Sequence, residues 1–417
     1  MDIKNKKVCI IGAARSGIAA ADLALEMGAV PKISDGKPLA DITAALNGLK
    51  NRERTLVESG GHTKGFILDS DLLVASPGVW RDAEPLQWAR EAGIPVLGEI
   101  EFAWRYCARP VIAVTGSNGK TTTVTLINDV IKASGRTPCL CGNVGMPFSR
   151  YALRRDVDYI VLEISSFQLE LIETFRPHIA VILNVSQNHL DRHPDMADYF
   201  NAKKRLLMNQ GKDDFAVLNA RDAYVFGLRN EAKSGVRLFN NDGETNDPNH
   251  LAVLEVARLL GIDDTVTQKV FDDFQGVEHR LERVRVLEGV EYINDSKSTT
   301  VEAGRWALER LRKPAVMIAG GSDKHMDYVP LRDLVRQKVR RMIAIGVIKD
   351  QLKEAFGDVI PVEVLPGGLD EAVELARREA RVGECVLLSP MTASFDMFDN
   401  FEHRGKVFKD IVRKLHA

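Results

Sequence analysis

Short apolar runs alternate with amphipathic stretches along nearly the whole chain. The runs are rich in Val, Ile, Leu and Ala and end at turn residues, as where Val8-Cys9-Ile10-Ile11 meets Gly12. The stretches between them, such as Ile18–Met27, have the apolar spacing of helices. Strands that alternate with helices are typical of parallel sheets, so the pattern predicts an α/β protein.

The elements fall into three series, which we interpret as three α/β domains. The first series closes near Phe102–Arg109, the second opens with Val111-Ile112-Ala113-Val114, and the third begins near Glu278. The expected domains are therefore 1–107, 108–277 and 278–417, and 417 residues are too many for one ordinary core. The polar stretch Phe226–Asp247 has no clear periodicity and is expected to form loops or edge strands.

Further strands are predicted inside the second and third series. In the second they are Tyr159–Leu162, Ala180–Leu183 and Phe215–Leu218, with helices expected across Leu251–Leu260 and Val266–Phe274. In the third they are Tyr292–Asn294, Val316–Ala319, Met342–Ile345 and Cys385–Leu388.

Composition narrows the class of protein. The chain is 45% hydrophobic and 27% charged with a formal net charge of -2, which argues against a protein built mainly to hold nucleic acid. We find no apolar run long enough to span a bilayer, and Met1–Lys7 leads into a strand without the apolar core of a signal peptide. The five cysteines are scattered, which is typical of reduced thiols in a cytoplasmic protein.

A glycine-rich loop follows the first strand of the second series. It reads Thr115-Gly116-Ser117-Asn118-Gly119-Lys120-Thr121-Thr122. Glycines let a backbone bring its N–H groups against phosphate oxygens, and the helix expected from Lys120 adds its positive end. The lysine then suits the outer phosphates, and Thr121 suits Mg²⁺. Val114 stands where the usual Walker A form has glycine, so a β-turn with an incidental lysine is the alternative.

Polar residues follow two further strands of this series. Glu163 comes directly after Val161-Leu162, and His189 comes shortly after Leu183. The carboxyl ends of parallel strands meet at one edge of a sheet, so both side chains are expected beside the phosphate loop. There Glu163 can bind a magnesium ion shared with Thr121 and phosphate, and His189 can add a ligand. The alternatives are a helix N-cap for Glu163 and a purely structural role for His189.

Two other stretches are ambiguous from their residues alone. Tyr199-Phe200-Asn201-Ala202-Lys203-Lys204-Arg205 is typical of a solvated basic helix face. Gly12-Ala13-Ala14-Arg15-Ser16-Gly17 lacks the central glycine of a dinucleotide fingerprint and indicates at most a weak NAD site.

Several motifs together resemble the Mur ligases of peptidoglycan synthesis. They are Thr115–Thr122, Glu163–Glu170, Asn188–His193 and the C-terminal run Leu388–Gly405, and the resemblance covers essentially the whole chain. It implies a Rossmann-like N-terminal domain, a central P-loop ATPase-type domain with a parallel sheet, and a Rossmann-like C-terminal domain. It also implies an ATP-dependent ligase that adds D-glutamate to UDP-N-acetylmuramoyl-L-alanine through an acyl phosphate, giving ADP and phosphate.

The resemblance implies a site for two Mg²⁺ ions beside the loop. Lys120 resembles the lysine that contacts phosphate, while Thr121 and Glu163 are similar to the ligands of one ion. His189 resembles a ligand of the second ion. Lys203 resembles a lysine that this family carbamylates with CO₂, and the resulting anion suits a hard cation. Lys204 is the neighbouring alternative, although the Ala-Lys context favours Lys203.

The remaining site residues are also implied by the resemblance. ATP is expected at Gly116, Ser117, Asn118, Gly119, Lys120, Thr121, Thr122, Asn246, Asn249, Arg280, Asp295 and Lys297. The UDP substrate is expected at Arg15, Ser16, Asp35, Gly36 and Ser76, with Asn143 near its reacting group. D-glutamate is expected at Thr299, Lys324, Ser394 and Phe401, where a lysine and hydroxyls suit an extra carboxylate.

Three positions depart from the family's pattern. Asn188 stands where the family usually has Asp, which bears on the support of the metal site. Met391-Thr392 replaces a commoner Ala-Cys. The histidine expected near Asn246 is absent from the sequence, so the adenine contacts are less defined.

We expect a cytoplasmic monomer that binds no nucleic acid and inserts into no membrane. Another Mur ligase or a folylpolyglutamate synthase-like amide ligase is the nearest alternative, and Ser165–Glu170 and Ser394–Phe401 argue against both. An NAD-dependent oxidoreductase that uses Gly12–Gly17 is an alternative from another class. A nucleotide-gated interaction module is a third, but it would leave His189, Lys203 and Lys324 without a shared task.

Overall fold

Three sheets organise the chain, with helices between their strands. In this computed structural model the described residues are 1–186, 192–241, 247–274, 276–323 and 326–416. They form two compact units, Met1–Phe274 and Gln275–Ala417. Two sheets belong to the first unit and one belongs to the second. The α/β class is confirmed, while the domain boundaries at 107 and 277 stay predictions.

The first sheet is built from the N-terminal series. Its strands are β1 Lys7–Ile11, β2 Val30–Asp35, β3 Leu56–Ser59, β4 Leu72–Ala75 and β5 Val96–Gly98. Its helices are α1 Arg15–Glu26, α2 Leu39–Leu46, α3 Lys64–Leu68, α4 Glu84–Glu91 and α5 Glu99–Trp104. All pairs are parallel in the order β3-β2-β1-β4-β5. The order reverses between β1 and β4, which is where such sheets open a crevice for a ligand.

Burial on both faces explains why β1 is a continuous apolar run. Val8 and Ile10 pack into one hydrophobic cluster with Ala20 and Leu23 of α1. Their neighbours Cys9 and Ile11 belong to a cluster on the other face. Successive strand residues point to opposite faces, so a sheet covered by helices on both sides has few polar positions in its strands.

The second sheet carries the glycine-rich loop. Its strands are β6 Val111–Thr115, β7 Pro138–Gly142, β8 Tyr159–Glu163, β9 Ile179–Ile182, β10 Phe215–Asn219 and β11 Gly235–Phe239. Its helices are α6 Lys120–Ala133, α7 Ser166–Leu169, α8 Met196–Lys204, α9 Ala223–Gly227, α10 Pro248–Leu259 and α11 Asp264–Asp273. All pairs are parallel in the order β11-β10-β9-β6-β8-β7. The loop strand β6 is therefore central, with β8 and β9 on either side.

The third sheet makes up the second unit. Its strands are β12 Glu282–Leu287, β13 Val290–Asn294, β14 Ala315–Gly320, β15 Val339–Ile345, β16 Val362–Val364 and β17 Cys385–Leu388. Its helices are α12 Val301–Arg310, α13 Arg332–Lys338, α14 Lys349–Phe356, α15 Leu369–Glu379 and α16 Phe401–Lys414. The order is β12-β13-β17-β14-β15-β16.

The pair β12–β13 is antiparallel, unlike the parallel arrangement that the alternating pattern predicts. Only Glu288 and Gly289 connect the two strands, which is too short for the crossover that parallel strands need. Both residues have positive φ, 51° and 77°, as in the tight turns that match the twist of a hairpin.

Predicted and observed elements agree closely in the second and third series. The predicted strands lie within the observed ones or overlap them, and the polar stretch Phe226–Asp247 contributes the edge strand β11. Within the described residues, no helix is long and apolar enough to cross a membrane.

Candidate active site

The glycine-rich loop joins β6 to α6, as predicted. Gly116 and Gly119 both have positive φ, 154° and 84°. The φ of Gly119 favours glycine at this position. A Cβ there would lie 2.1 Å from the side-chain oxygen of Asn249, so Asn249, a predicted nucleotide residue, lies directly against the loop.

The loop is held in shape by the segment after β9. Asn118 N donates to Asn184 Oδ1 at 2.8 Å, and Asn184 Nδ2 donates back to Asn118 O at 3.1 Å. Ser117 Oγ donates to Ser186 O at 3.0 Å and lies 3.0 Å from the hydroxyl of Tyr199. Sequence reasoning missed these supports because they join residues far apart along the chain.

Lys120 begins α6 and lies over its own loop. Its ammonium donates to Gly116 O at 2.8 Å and to Ser117 O at 3.0 Å. Thr121 follows in the first turn and is buried. A cation and a hydroxyl therefore stand at the helix N-terminus, where the backbone itself favours an anion.

Glu163 ends β8 beside the loop and is 2% exposed. Its Oε1 accepts from Asn143 Nδ2 at 2.7 Å, and Asn143 N donates to the Glu163 carbonyl at 2.9 Å. Its Oε2 is buried and has no hydrogen-bond partner among the described residues. The N-cap alternative for Glu163 is wrong, because Ser165 caps α7 in a capping box with Gln168. The carboxylate is thus left with one oxygen available to a cation.

Lys203 is buried, at 1% exposure, so the solvated-face alternative fails at this residue. Its ammonium donates to Gly116 O at 2.9 Å, the carbonyl that also accepts from Lys120. The neighbouring Lys204 lies outside, where it pairs with Glu231. The helix α8 therefore points one lysine at the loop and the other away from it.

Burial holds the pKa of Lys203 well below its usual value, and the charge of Lys120 lowers it further. Glu163 acts in the opposite direction without reversing the shift. Desolvation disfavours an ammonium, and a second cation at the same carbonyl adds repulsion. The amine of Lys203 is thus driven toward its neutral form.

Three predicted residues lie outside the described residues: His189, Asn246 and Lys324. In the part of the chain that the structure describes, no group of three His, Cys, Asp or Glu side chains could hold a metal. The side chains gathered at the loop are instead those of Lys120, Thr121, Glu163 and Lys203. Mg²⁺ commonly uses one or two carboxylates and completes its shell with waters and substrate phosphates. Within this group Glu163, whose Oε2 is buried without a hydrogen-bond partner among the described residues, and the Thr121 hydroxyl fit such an ion.

The predicted UDP residues meet at the carboxyl end of the first sheet. Asp35 ends β2 and accepts from Ala13 N at 2.6 Å and from Lys37 N at 2.8 Å. Ser76 follows β4, and its hydroxyl donates to Gly12 O at 3.1 Å. Arg15 and Ser16 open α1, directly after β1. The ends of β1, β2 and β4 thus form one surface at the reversal of strand order.

Arg192 ties this surface to the second sheet, and sequence reasoning missed it. Its guanidinium donates to Pro77 O at 3.0 Å and to Val79 O at 2.8 Å, both in the turn after β4. It lies near the rings of Trp80 and Phe167, at 5.4 Å and 4.3 Å from their centroids. Nothing in the local sequence signals this contact.

Several predicted residues of the second unit follow its strands: Asp295, Lys297 and Thr299 come after β13, Ser394 comes after β17, and Phe401 begins α16. Asp295 is fully buried and accepts from Ser389 Oγ at 2.8 Å and from Leu281 N at 3.1 Å. Burial raises the pKa of Asp295 to about 7, although these hydrogen bonds oppose the shift. Lys297 lies 5.9 Å from the ring centroid of Phe401.

Arg404 organises the same region. Its guanidinium is buried and donates to Ser296 Oγ and to the carbonyls of Ser296, Thr392 and Ala393. It thereby fixes the loops that carry Thr299 and Ser394, which are half-buried and buried respectively. Arg280 lies 4.2 Å from the ring of Trp306. Burial lowers the pKa of Arg404 to about 10.

Two family descriptions match parts of the chain. Residues 6–98 match the Mur ligase MurD-like N-terminal domain, and residues 114–260 match the Mur ligase middle domain.

Similar proteins match over their full length. The UDP-N-acetylmuramoylalanine--D-glutamate ligase of Koribacter versatilis is 39% identical, with 100% of this chain and 99% of the relative covered. The protein of the same name from Desulfosudis oleivorans is 36% identical, with 100% of this chain and 98% of the relative covered. The solved UDP-N-acetylmuramate-alanine ligase MurC from Thermotoga maritima has a TM-score of 0.58 at 16% identity, covering 98% of this chain and 99% of that chain. At 16% identity, the similarity to this solved structure is evidence for the fold alone.

Proposed function

The chain belongs to the Mur ligase family, and we propose that it is the ATP-dependent ligase that joins D-glutamate to UDP-N-acetylmuramoyl-L-alanine in peptidoglycan synthesis. Full-length similarity to ligases of that name supports the substrates. The structural observation that carries the chemistry is the group of Lys120, Glu163 and Lys203 at one glycine-rich loop.

The reaction begins with two anions that repel each other. The L-alanyl carboxylate attacks the γ-phosphorus of ATP, the bond to the bridging oxygen breaks, and ADP leaves an acyl phosphate. The amine of D-glutamate then attacks the carbonyl carbon, loses a proton, and displaces phosphate. Lys120 offsets the repulsion in the first step, since a cation at about 4 Å contributes several kcal/mol in a partly dry site.

We propose that two Mg²⁺ ions bind beside the loop. Glu163 Oε2 and the Thr121 hydroxyl would hold one, and His189 together with a carbamate on Lys203 would hold the other. Bound there, Mg²⁺ would neutralise charge on the phosphates. Asn143 holds the second oxygen of Glu163 and so orients its carboxylate.

The carbamate on Lys203 is supported by the state of its amine. A neutral amine attacks CO₂, forms an N–C bond and releases one proton, which leaves an anion. Burial and Lys120 favour that neutral amine by lowering the pKa of Lys203. The change from cation to anion also relieves the repulsion between the two lysines.

The remaining substrate contacts follow the strand ends. Arg15, Ser16, Asp35, Gly36 and Ser76 would bind the UDP part, with the N-terminus of α1 favouring its diphosphate. Asn246, Asn249, Arg280, Asp295 and Lys297 would add ATP contacts, and Thr299, Lys324, Ser394 and Phe401 would hold D-glutamate. The protein would act in the cytoplasm as a monomer.

Phosphate release tests the proposal. With ATP and UDP-N-acetylmuramoyl-L-alanine present, D-glutamate alone among added amino acids should support turnover. Turnover with L-lysine or diaminopimelate instead would place the chain with another Mur ligase. Binding of NAD without binding of UDP would indicate the oxidoreductase alternative.

A further inference from the structure

A hydrogen-bonded relay borders the strand ends that we assign to the UDP part of the substrate. It joins Glu58 of β3, Ser34 of β2 and His62 in the turn after β3. Ser34 Oγ lies 2.6 Å from Glu58 Oε2 and 2.7 Å from His62 Nδ1. Ser34 is fully buried, so the centre of the relay is shielded from water. The ATP chemistry uses none of these three side chains.

The turn that carries His62 is tied to the segment after β2. Gly60 N donates to Lys37 O at 2.7 Å, and Gly61 N donates to Asp35 O at 3.4 Å. His62 Nε2 lies 3.7 Å from the position that a Cβ would take on Gly36. Because Gly36 has no side chain, this nitrogen faces the space that a larger residue would fill. His62 therefore borders the same subsite as Asp35 and Gly36.

Glu58 acts only as an acceptor in this relay. Its Oε1 accepts from Thr63 N at 3.1 Å and also from the Thr63 hydroxyl. Burial alone would raise the pKa of Glu58, but hydrogen bonds from Ser34 and Thr63 hold it below its usual value. Glu58 is thus an ionised carboxylate at neutral pH and has no proton to donate.

The donors and acceptors then fix the tautomer of His62. Ser34 has one hydroxyl proton, and it must go to Glu58 because the carboxylate can only accept. His62 Nδ1 must therefore carry a proton and donate it to Ser34 Oγ. In a neutral imidazole the other nitrogen, Nε2, is then an acceptor.

We propose that His62 Nε2 accepts the N3–H of the uracil base and thereby selects a uridine nucleotide. The proposal rests on the proposed function, since it concerns the UDP part of that substrate. Uracil has its ring N–H donor at N3, whereas cytosine has an acceptor at N3. A lone pair at His62 Nε2 attracts the first base and repels the second. One neutral hydrogen bond changes affinity by about three- to tenfold.

The first experiment pairs a change in the protein with a change in the base. KM is measured for the UDP substrate and for its N3-methyluridine analogue, in the wild type and in His62→Ala. We expect N3-methylation to raise KM about tenfold in the wild type, and H62A to raise KM of the parent substrate by three- to tenfold. N3-methylation should raise KM by a smaller factor in H62A than in the wild type. KM for ATP and for D-glutamate should not change, and His178→Ala, in the same unit, is the matched control.

The second experiment reverses the relay and keeps His62. In Glu58→Gln the amide oxygen must face Thr63 N, an obligate donor, so the amide NH₂ faces Ser34 Oγ. The Ser34 proton then turns to His62 Nδ1, and Nε2 becomes the donor. We expect E58Q to shift the preference between the uridine substrate and its cytidine analogue at least threefold toward cytidine. The preference is a ratio from one preparation, so a partly unfolded fraction cancels.

Two results would overturn the proposal: an equal penalty for N3-methylation in the wild type and in H62A, or an unchanged nucleotide preference in E58Q. A wild-type protein without D-glutamate-dependent phosphate release would instead overturn the proposed function. The two failures are therefore distinguishable.

Discussion

At the scale of single residues, Lys120 is the most direct test of the proposed nucleotide chemistry. Its ammonium stands at the N-terminus of α6 against the carbonyls of Gly116 and Ser117. Removing one stabilising group of this kind from an active site commonly costs about 10²–10³ in kcat. We expect Lys120→Ala to lose at least that factor in phosphate release, while Lys132→Ala, in the last turn of the same helix, keeps normal turnover. A normal ligation rate in K120A would contradict the proposed mechanism.

Lys203 and Lys204 form a matched pair on α8. Only Lys203 faces the loop, so we expect Lys203→Ala to lose about 100-fold or more in activity and Lys204→Ala to lose little. Short carboxylic acids should partly restore K203A, because they replace the anion that a carbamate supplies. Wild-type activity should fall in buffer depleted of CO₂ and return with bicarbonate. A K203A variant indifferent to carboxylates, together with a wild type indifferent to CO₂, would contradict the carbamate.

Asp295 predicts a pH dependence of stability. Its pKa is raised by burial to about 7 from an ordinary value of 3.8, so between these values the folded protein holds a proton that the unfolded chain releases. The free energy of unfolding therefore falls as pH rises through this window. Asp295→Asn removes the effect, so its stability relative to the wild type should increase from pH 5 to pH 8 by about 2–3 kcal/mol.

Urea unfolding at the two pH values measures this difference. Asp370→Asn, which changes an exposed residue of α15 in the same unit, should show no such increase. If the difference in free energy of unfolding between D295N and the wild type is the same at pH 5 and pH 8, Asp295 does not titrate in this window.

At the scale of elements, the hairpin β12–β13 gives a pair of substitutions with opposite expected signs. Glu288 and Gly289 both have positive φ, and a Cβ on Gly289 would lie 2.9 Å from Val382 Cγ1. Gly289→Ala should therefore destabilise the second unit by about 1–2 kcal/mol. Glu288→Asn should stabilise it by a few tenths of a kcal/mol, because asparagine tolerates this conformation better. Thermal unfolding of both variants checks the signs, and two shifts in one direction would refute this account of the turn.

The elements that could be predicted from the sequence are those with strong local patterns. Strands such as β6 and β14 are runs of buried, mostly apolar residues. The glycines and the lysine after β6 form a local pattern that predicts a phosphate-binding loop. The short strand β7 contains Pro138 and Gly142 and has no such pattern. The antiparallel β12 was also missed, because its turn is Glu-Gly and lacks the Asn or Asp that marks most such hairpins.

The candidate site shows the same division between local and tertiary information. Glu163 was predicted because it directly ends a strand, whereas the burial of Lys203 depends on a carbonyl 87 residues away. Read alone, a lysine-rich helix end is a solvated face, and only the family resemblance corrected that interpretation. The contacts of Arg192, of Asn184 and of the relay through Ser34 join segments that are distant along the chain, so no local sequence pattern predicts them.

At the scale of the whole molecule, ligands should protect separate regions from hydrogen exchange. A non-hydrolysable ATP analogue is expected to slow exchange in residues 115–125, where the loop meets α6. The UDP substrate is expected to slow exchange at the ends of β1, β2 and β4. Amides opened by local fluctuation exchange less when a ligand binds the closed form. Protection of residues 115–125 by the UDP substrate alone, with none at the first sheet, would contradict this assignment of the two sheets.

The contact of Arg192 with Trp80 suggests an intrinsic fluorescence probe in this protein. Trp80 lies on the turn that follows Ser76 and is half exposed. The guanidinium of Arg192 lies 5.4 Å from the centroid of its ring. Tryptophan emission responds to nearby charge and to water, so a ligand that shifts this turn changes the fluorescence of Trp80. A Trp80→Phe variant supplies the background from the other three tryptophans. We therefore expect binding at the proposed UDP-substrate surface to change this emission, which would make inhibitor titration independent of turnover.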